Sequence, residues 1–577
     1  MGDVRSRQDR EGLSWLLDNI QDCVEFLTVC WVFLMLTVFP LYAPDGYHEI
    51  GGYKFSFFSG VSALFLVPGT ALALVWQAGR LVEARRNRGG EEEKRGQSVS
   101  VSALDACMCV YLVFCLISFG QSGFKEDAWA GAGGWNMGLH TRLAMIASYY
   151  LISRHFPWKE GKKSAAAVVI CGALAGSGIT FALGVLHRFG IDPLRFYRGI
   201  DGSYQIRFLS TIGQATWYSS YVCTVFPIGL CLLYASRRKR VRLWSGLYCV
   251  LGFMTLVTQN SDSAFAALGF LFLGLFVASC RSMRGMERFL ECLILCAASF
   301  RAVGFLQWGF MDRAMELGRL SMAFSRGSIS WILLLAGCGA YFFLMKRKET
   351  GPEQKGKRGK AGRKGTAPVS SSDAPWEKTG AGLRRGALWV AAVGIILLIM
   401  LIALNTTGLL ERWFGLSFHS QYLFFDDKWG SNRGFIWKTA AELYADMPLR
   451  MKLFGAGPDC FMAYSYSIPE YAKRLNDYWR PDILTNAHNE FLNLLICEGL
   501  AGMLSWIALL LAGIRRFYRE SMHNPPVLAG MLTICAYAAH NFFCYQQVCC
   551  TPFLFLIIGL AEGLTRKRFG SLSGLSA

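Results

Sequence analysis

Long apolar runs, separated by short polar segments, most constrain how this 577-residue chain can fold. A helix that crosses a bilayer needs roughly 20 mainly apolar residues, and the sequence contains about fourteen such runs. They are 24–43, 55–76, 101–120, 141–156, 164–186, 215–235, 244–259, 262–280, 289–308, 328–345, 386–404, 500–514, 527–548 and 551–564. Gly or a polar residue interrupts several of them, which lipid tolerates only where neighbouring helices cover the freed backbone groups. The sequence therefore predicts an all-α, polytopic membrane bundle of about 12–14 transmembrane helices.

Lysine and arginine fall mainly in alternate segments between these runs. Positive residues are retained on the cytoplasmic side of a membrane protein. With the N-terminus inside, every inner segment is basic, whereas the first outer loop, 44–54, has only Lys54. This pattern predicts cytoplasmic N- and C-termini and a multi-pass protein of the cytoplasmic (inner) membrane. The long polar segment after residue 404 then faces the extracytoplasmic side.

The spans and the segments between them divide the chain into five parts. Residues 1–345 form the N-terminal transmembrane helices, and 346–385 read as a disordered, basic cytoplasmic linker because their composition is of low complexity. A single transmembrane helix follows at 386–404. Residues 405–487 form a large extracytoplasmic loop with short helices and candidate functional residues, and 488–577 form the C-terminal transmembrane helices.

Charge and cysteine content narrow the classes of partner and cofactor. The net charge of +19 is concentrated in short stretches beside predicted spans, such as 237–240. That placement fits contact with anionic membrane lipids better than binding of nucleic acid. Most of the 19 cysteines lie in apolar runs, where they act as small hydrophobes, and no Cys/His spacing suggests zinc. We expect membrane lipids as partners, and no nucleic acid, metal or cofactor.

Arg433 is the first candidate for chemistry in the loop 405–487. The residues after it favour a helix that ends before Pro448, so Arg433 lies near a helix start. A guanidinium there could bind phosphate oxygens through two hydrogen bonds. The alternatives are an ion pair with Glu442 or Asp446, or an arginine that simply lies in a solvated loop.

His488 is the second candidate, at the point where the loop meets the next apolar run. Asn486 could cap a helix that starts here. A histidine titrates near neutrality, so His488 could act as the general base that takes a proton from a hydroxyl. The alternative is a histidine that only caps the helix or lies in the headgroup layer.

A third cluster lies in the short outer loop between the fifth and sixth spans. Arg188, Arg195, Arg198 and Arg207 make this loop basic, against the positive-inside trend. Either an anionic substrate or lipid headgroups would account for that charge. Because nucleotides are not supplied outside the cell, an enzyme there needs a substrate already activated on a membrane lipid, such as a polyprenyl diphosphate.

The order of these motifs resembles the O-antigen ligase and O-antigen polymerase family of bacterial polytopic membrane proteins. The motifs are RFGIDP at 188–193, RFLSTIG at 207–213, NSDS at 260–263, RGFIW at 433–437, LFGAGP at 453–458, AHNEFL at 487–492 and EGLAG at 498–502. The resemblance extends over residues 184–502 and continues loosely beyond them.

The resemblance implies a GT-C-like glycosyltransferase. It would transfer or polymerise a glycan from an undecaprenyl-diphosphate-linked oligosaccharide to a hydroxyl on a glycan or lipid acceptor, with inversion and without a metal. His488 would be the catalytic base, and Arg433 and Arg207 would bind the diphosphate. We further assign Arg188, Trp437, Asn489 and Glu490 to substrate binding.

One motif departs from the family pattern. Many relatives have a Ser-Arg-Gly motif at the start of the eighth span, whereas this chain has Ser261, Asp262 and Ser263. A carboxylate cannot pair with diphosphate unless it is protonated or bridged by a cation. One expected phosphate contact is therefore absent or replaced.

Two other classes of function remain open at this point. A lipid-linked glycan flippase or another transporter would fit the number of spans and the basic outer loops. A transporter is expected to show paired broken helices in two related halves, and the sequence has no convincing internal repeat. A non-catalytic membrane scaffold is the third class.

Overall fold

The computed structural model describes residues 2–86, 101–158, 164–205, 207–350 and 374–574, and most of them are helical. The helices up to residue 279 are α1 (Gly2–Phe33), α2 (Ile50–Val61), α3 (Val67–Arg86), α4 (Ala103–Gln121), α5 (Lys125–Ala130), α6 (Leu139–His155), α7 (Ala165–Arg188), α8 (Gly202–Gln205), α9 (Ala215–Ala235), α10 (Lys239–Thr258) and α11 (Ser263–Ser279). Those that follow are α12 (Met283–Gly309), α13 (Arg319–Ser325), α14 (Ile329–Thr350), α15 (Ala374–Thr406), α16 (Leu409–Phe414), α17 (Trp429–Asp446), α18 (Leu449–Phe454), α19 (Phe461–Ser467), α20 (Pro469–Trp479), α21 (Glu490–Cys497), α22 (Gly499–Glu520), α23 (Leu528–Asn541) and α24 (Thr551–Gly574). Two short strands, β1 (Phe208–Leu209) and β2 (Gly213–Gln214), pair antiparallel just before α9.

The predicted polytopic helical bundle is confirmed. Within the described ranges, ten helices are long and apolar enough to cross a membrane, and α11 is a shorter apolar helix. The other predicted spans fall on α6, α23 and α24, which are helical. The span predicted over 527–548 is wrong at its end, because α23 stops at Asn541 and an irregular, mostly buried segment, 542–550, follows.

Helices enter both ends of the predicted linker 346–385. Helix α14 continues to Thr350, and α15 begins at Ala374. The remainder of that linker, 351–373, lies outside the described residues. The single helix predicted at 386–404 is longer in the structure, where its apolar stretch covers Trp376–Thr406.

Close helix packing builds the bundle from neighbouring pairs, among them α9 with α10, α11 with α23, and α6 with α24. Glycines allow the closest approaches. A Cβ on Gly229 would lie 2.1 Å from the ring of Tyr248, and one on Gly252 would lie 2.4 Å from the ring of Phe226. These rings occupy the space that a side chain would need, so the glycines permit a dense core between α9 and α10.

Lys54 hydrogen-bonds the carbonyl groups that are freed where the first membrane span is broken. Here α1 passes into a π-helical turn, Leu34–Val38, and then a 3-10 turn, Phe39–Leu41. The Lys54 amine donates to the carbonyls of Phe39 and Pro40, at 2.6 and 3.0 Å. The sequence placed Lys54 in a loop, but it lies fully buried within α2. A broken helix needs such a partner because lipid offers no hydrogen bonds.

A buried ion pair joins α6 to the start of α22. Arg142 Nη2 lies 2.6 Å from Glu498 Oε1, and both side chains are almost fully buried. The same guanidinium donates to the Tyr111 hydroxyl and, through Nε, to the Met137 carbonyl at 3.0 Å. Glu498 sits between α21 and α22, so this pair fixes where the segment that follows His488 enters the bundle.

The segment 405–487 has a core of its own. Phe435, Ile436, Leu443, Phe461 and Leu475 belong to a buried cluster distinct from that of the bundle. This arrangement accounts for the apolar residues within an otherwise polar stretch. The segment is thus a packed layer of short helices on one end of the bundle.

Asp459 fastens this layer to the loop before α6. Its Oδ2 accepts hydrogen bonds from the backbone N–H groups of Ala132 and Met137, both at 2.9 Å. Burial raises the pKa of the Asp459 carboxyl to about 6. The layer is therefore held to the bundle by buried polar contacts as well as by apolar packing.

Removal of the charge on Glu498 tests the role of the buried pair. Glu498→Gln leaves Arg142 buried without its anion, which typically costs about 3–5 kcal/mol of unfolding free energy. We expect a clearly lower unfolding temperature for purified protein in detergent. The control is Asp18→Asn, which removes the partner of Arg80 in an exposed pair and should change little. Equal effects of the two substitutions would contradict the assigned role.

Candidate active site

Arg433 is presented by a left-handed turn. The three residues before it, 430–432, have φ values of +57°, +62° and +69°, so the regular part of α17 begins at Arg433. This confirms the predicted helix start. Gly434 allows the turn to close, because a Cβ there would lie 1.8 Å from the carbonyl oxygen of Asp426. The residue after Arg433 therefore has to be glycine for steric reasons in this fold.

The guanidinium of Arg433 is half-buried and held by carbonyl oxygens. Its Nε donates to the Phe543 carbonyl at 3.0 Å, and its Nη1 donates to the Gly430 carbonyl at 2.5 Å. No carboxylate among the described residues forms an ion pair with it. Burial lowers the pKa of the Arg433 guanidinium, but an arginine remains charged in proteins. The site thus holds a positive charge in place without a paired anion.

The alternative ion pairs proposed for Arg433 are wrong. Glu442 pairs with Arg474, and the Asp446 carboxylate accepts a hydrogen bond from the Tyr471 hydroxyl at 2.6 Å. Both acids therefore have other partners. Arg433 is left to face the region around His488.

His488 lies beside Arg433 with its imidazole open. Its backbone has φ +47°, and its N–H donates to Asn486 Oδ1 at 2.9 Å. Within the described part of the chain, neither ring nitrogen has a hydrogen-bond partner, and the ring meets the Tyr545 ring edge-on at 5.1 Å. Burial, followed by the charge of Arg433, lowers the pKa of His488 to about 3. The imidazole is therefore neutral at physiological pH and can accept a proton.

Asn489, not Asn486, caps the helix after His488. The Oδ1 of Asn489 accepts hydrogen bonds from the N–H groups of Phe491 and Leu492, at 2.9 and 3.0 Å. The expected cap, Asn486, instead bonds to the His488 N–H. The two asparagines together fix the backbone on both sides of the histidine.

Glu490 stabilises the segment that contains His488 through buried hydrogen bonds. Its carboxylate accepts hydrogen bonds from Asn541 Nδ2 at 2.5 Å and from Gln546 Nε2 at 3.0 Å. Burial raises the pKa of the Glu490 carboxyl to about 7. Both carboxylate oxygens are used within the protein, so Glu490 links α21 to α23 and to the irregular segment that follows.

Trp437 belongs to an aromatic group beside Arg433. It lies one helical turn after the arginine, on the same face of α17. Its ring centroid lies 5.2, 5.6 and 6.1 Å from those of Trp429, Phe542 and Phe543. Its Nε1–H is buried and has no hydrogen-bond partner within the described ranges. The indole therefore has a donor that a substrate oxygen could use.

The other two predicted arginines lie on different elements from Arg433 and His488, at the end of α7 and just before β1. Arg207 is exposed, and its carbonyl accepts a hydrogen bond from the N–H of Ala215, the first residue of α9, at 2.7 Å. Two residues later, Trp217 Nε1 donates to the Tyr545 hydroxyl at 3.3 Å. The hairpin of β1 and β2 thus connects Arg207 to the aromatic surroundings of His488.

Arg188 is buried at the end of α7. Its Nε donates to the Thr258 carbonyl at 2.7 Å, and its carbonyl accepts from the Met315 N–H at 2.8 Å. Its Nη2 is buried without a hydrogen-bond partner among the described residues. Arg188 therefore joins α7 to α10, and the N–H donors of its Nη2 stay unused among the described residues.

Hydrogen bonds of Tyr422 connect Asp262 to the residues around Arg433. Its Oδ2 accepts a hydrogen bond from the Tyr422 hydroxyl at 2.8 Å, and the Tyr422 carbonyl accepts from Trp429 Nε1 at 3.1 Å. The carboxylate is close enough to oppose the burial effect on the pKa of Arg433. The residue that departs from the family motif thus places a negative charge at the edge of the site.

Sequence reasoning missed the contribution of the irregular segment 542–550. The carbonyl of Phe543 holds Arg433, and the ring of Tyr545 packs on His488. One signal was present, because Gln546 and Gln547 are two adjacent polar residues inside an apolar run. Such a pair marks a place where a span breaks off.

The depressed pKa of His488 can be checked by chemical modification. Diethylpyrocarbonate reacts with neutral imidazole, and mass spectrometry identifies the modified histidine. A histidine of ordinary pKa, about 6.5, loses about eightfold in its neutral fraction between pH 7 and pH 5.5. Because the lowered pKa keeps His488 neutral, we expect its rate of modification to stay constant in the folded protein.

The matched control is the same residue in denatured protein, where the ordinary pKa applies. There the rate should fall about eightfold over this pH interval. An eightfold fall at His488 in the folded protein would show that its environment is not the one described.

Comparison with known families agrees with this geometry. Residues 314–507 match the family model described as O-Antigen ligase. The matched region contains both Arg433 and His488, together with the helices that position them. No curated protein matches the chain significantly. Residues 314–507, which contain both candidate site residues, are therefore similar to the O-antigen ligase family.

Proposed function

We propose that this protein transfers a glycan from an undecaprenyl-diphosphate-linked oligosaccharide to a hydroxyl group of a glycan or lipid acceptor. The observation that carries the proposal is the pairing of Arg433, a held cation without an anion, with His488, a neutral imidazole without a hydrogen-bond partner, among the described residues. An anionic leaving group and a hydroxyl nucleophile need these two groups side by side.

Arg433 would bind the diphosphate of the donor. Its Nε and Nη1 are held by carbonyls, which fixes the plane of the guanidinium, while Nη2 has no hydrogen-bond partner among the described residues and is available. A fixed cation stabilises charge that develops on a leaving oxygen without reorganisation during the reaction. Arg207, exposed on the neighbouring hairpin, would add a second contact, and Arg188 could contribute its remaining donor.

His488 would take the proton of the acceptor hydroxyl. The acceptor oxygen attacks the anomeric carbon, the bond from that carbon to the diphosphate oxygen breaks, and the electron pair leaves with the diphosphate. One displacement of this kind inverts the anomeric carbon. The proton passes to His488, and the negative charge of the diphosphate lies against Arg433, where arginines serve in place of a metal cation.

Binding of the donor favours this proton transfer because it changes the electrostatics around His488. In the empty site the charge of Arg433 contributes to the lowered pKa of His488. A bound diphosphate neutralises that charge, so the pKa of His488 rises toward its ordinary value and the imidazole becomes a stronger base. Asn489 and Glu490 act in this scheme by holding the His488 segment in position.

We further propose that the protein lies in the cytoplasmic membrane with both termini inside. The distribution of Lys and Arg supports this orientation. The layer 405–487 and the site then face the extracytoplasmic side, where a lipid-linked sugar is the available activated donor. Trp437, whose indole donor is buried beside Arg433, would contact the donor near its diphosphate.

A deletion strain complemented with variants tests the proposal. We expect His488→Ala to reduce transfer by roughly 10²–10⁴-fold, because the general base is lost. Arg433→Ala and Arg433→Lys should both impair it, since lysine lacks the planar fork. Surface glycan and extracted lipid-linked intermediates are measured at matched membrane levels, with Arg207→Lys included. The control is Arg474→Lys, which keeps the charge in an exposed pair with Glu442.

The lipid-linked intermediates decide between the alternatives. Single repeat units that accumulate outside indicate a polymerase, and full-length chains indicate a ligase. Accumulation confined to the cytoplasmic leaflet would indicate a flippase. Full complementation by both His488→Ala and Arg433→Ala would contradict the catalytic assignment.

Asp262 provides a separate test of the electrostatics. Asp262→Asn keeps an oxygen for the Tyr422 hydroxyl but removes a negative charge near Arg433. We expect the KM for the lipid-linked donor to fall about two- to fivefold at low salt, with a smaller change at high salt because Asp262 is exposed. The comparison is Asp427→Asn, an exposed acid paired with Lys438 in the same layer. An increase in KM for Asp262→Asn would contradict this role.

A further inference from the structure

A cavity lies beside Trp217, whose indole contacts Tyr545, the residue that packs on His488. It has a volume of about 410 Å³, within the roughly 300–1,000 Å³ common for small-molecule sites. The start of α2, the loop before α6, and the start of α9 form its walls. Three separate parts of the chain thus meet around one open space.

Aromatic rings supply one wall of this cavity, from Tyr47, Phe208 and Trp217. The rings of Tyr47 and Phe208 lie 5.2 Å apart, and the Tyr47 hydroxyl donates to the Ser210 carbonyl at 2.8 Å. Tyr47 and Trp217 are each less than a tenth exposed. The wall is therefore fixed by packing and hydrogen bonds before any ligand arrives.

Three glycines and one carboxylate form the rest of the cavity lining. Gly51, Gly52 and Gly134 line the cavity without side chains, together with Glu49. Glu49 is exposed and has no ion-pair partner within the described ranges. Its backbone has φ +42°, an unusual conformation for a residue other than glycine, and it precedes the first turn of α2. The lining contains no Lys or Arg.

This lining suits a sugar ring and not a phosphate. A pyranose has C–H faces that pack on aromatic rings and hydroxyl groups that donate to a carboxylate or to backbone carbonyls. A phosphate would instead meet the negative charge of Glu49, with no Lys or Arg among the described residues that line the cavity. The donor diphosphate therefore belongs at Arg433, and this cavity suits an uncharged sugar.

The cavity is connected to His488 through aromatic contacts. Trp217, which lines it, donates through Nε1 to the Tyr545 hydroxyl at 3.3 Å, and the Tyr545 ring packs on the His488 imidazole at 5.1 Å. Trp135 packs on both, with centroids 5.0 Å from Trp217 and 4.8 Å from Tyr545. Two rings thus separate the cavity from the proposed base.

We propose that this cavity binds a sugar residue of the acceptor, an inference that rests on the proposed transferase function. An acceptor held there lies on the side of His488 where Tyr545 and Trp217 pack. The cavity determines which acceptor sugar is accepted, through the aromatic wall and Glu49. Specificity for the acceptor is thereby separated from binding of the diphosphate.

Gly52 allows the cavity to be filled without distortion of the fold. Gly52 lines the cavity and its Cβ would meet no atom within 4 Å, so Gly52→Phe adds a ring at the cavity wall without a clash at Cβ. Gly60 is the matched control, because it lies in the same helix, its Cβ also meets nothing within 4 Å, and it does not line the cavity. Glu49→Gln tests the carboxylate separately.

The experiment measures binding to full-length protein in nanodiscs by saturation-transfer NMR. The probes are the methyl glycosides of glucose, galactose and N-acetylglucosamine, with inorganic pyrophosphate as the probe for the donor side. We expect at least one glycoside to bind wild type, at least fivefold weaker binding to Gly52→Phe and Glu49→Gln, and unchanged binding to Gly60→Phe. Binding of pyrophosphate should not change in Gly52→Phe.

Two results would overturn the inference. One is that none of the three glycosides binds, and the other is that Gly52→Phe and Gly60→Phe bind them equally. Transfer assays keep this result distinct from the proposed function. If His488→Ala abolishes transfer while Gly52→Phe leaves the KM for the acceptor unchanged, only the cavity assignment is wrong. If His488→Ala transfers like wild type, the catalytic proposal is wrong, and glycoside binding still decides the cavity.

Discussion

Inside a bilayer every polar group must find its hydrogen-bond partner within the protein, and the structure follows from how this chain meets that requirement. Where the first span breaks, the Lys54 amine takes the freed carbonyls of Phe39 and Pro40. Where α21 meets α22, Arg142 pairs with Glu498. Each partner comes from a different helix, so the same contacts that satisfy polar groups also fix how the helices are arranged.

The candidate site stands out because it departs from that pattern. Arg433 is anchored by two carbonyls but has no anion paired with it among the described residues, and the His488 ring has no hydrogen-bond partner there. Their supports, by contrast, are hydrogen-bonded through the Asn489 amide oxygen and both carboxylate oxygens of Glu490. A rigid frame around two unsatisfied groups is what binding of a charged substrate and removal of a proton require.

Charge divides the surroundings of His488 into two sides. Arg433 lies on one side, with Asp262 at its edge. The cavity with the Glu49 carboxylate and the aromatic wall lies beyond Tyr545. With this distribution of charge, an anionic donor would bind at Arg433 and an uncharged acceptor would bind in the cavity. Asp262, which stands where many relatives have arginine, would lower the net positive charge on the proposed donor side.

The sequence by itself determined the membrane class, the approximate positions of the spans, and Arg433 and His488 as candidates. These follow from local properties, namely apolar run length and the residue types within short motifs. Only the tertiary structure decided the partners. It assigned Glu442 and Asp446 to other side chains, moved the helix cap from Asn486 to Asn489, buried Lys54 and Glu490 as braces, and brought Trp217 and Tyr545 to the histidine. The contact of Trp217 with Tyr545 joins residues 328 positions apart, and most of the others join separate elements, so they depend on how the helices pack and not on a local pattern.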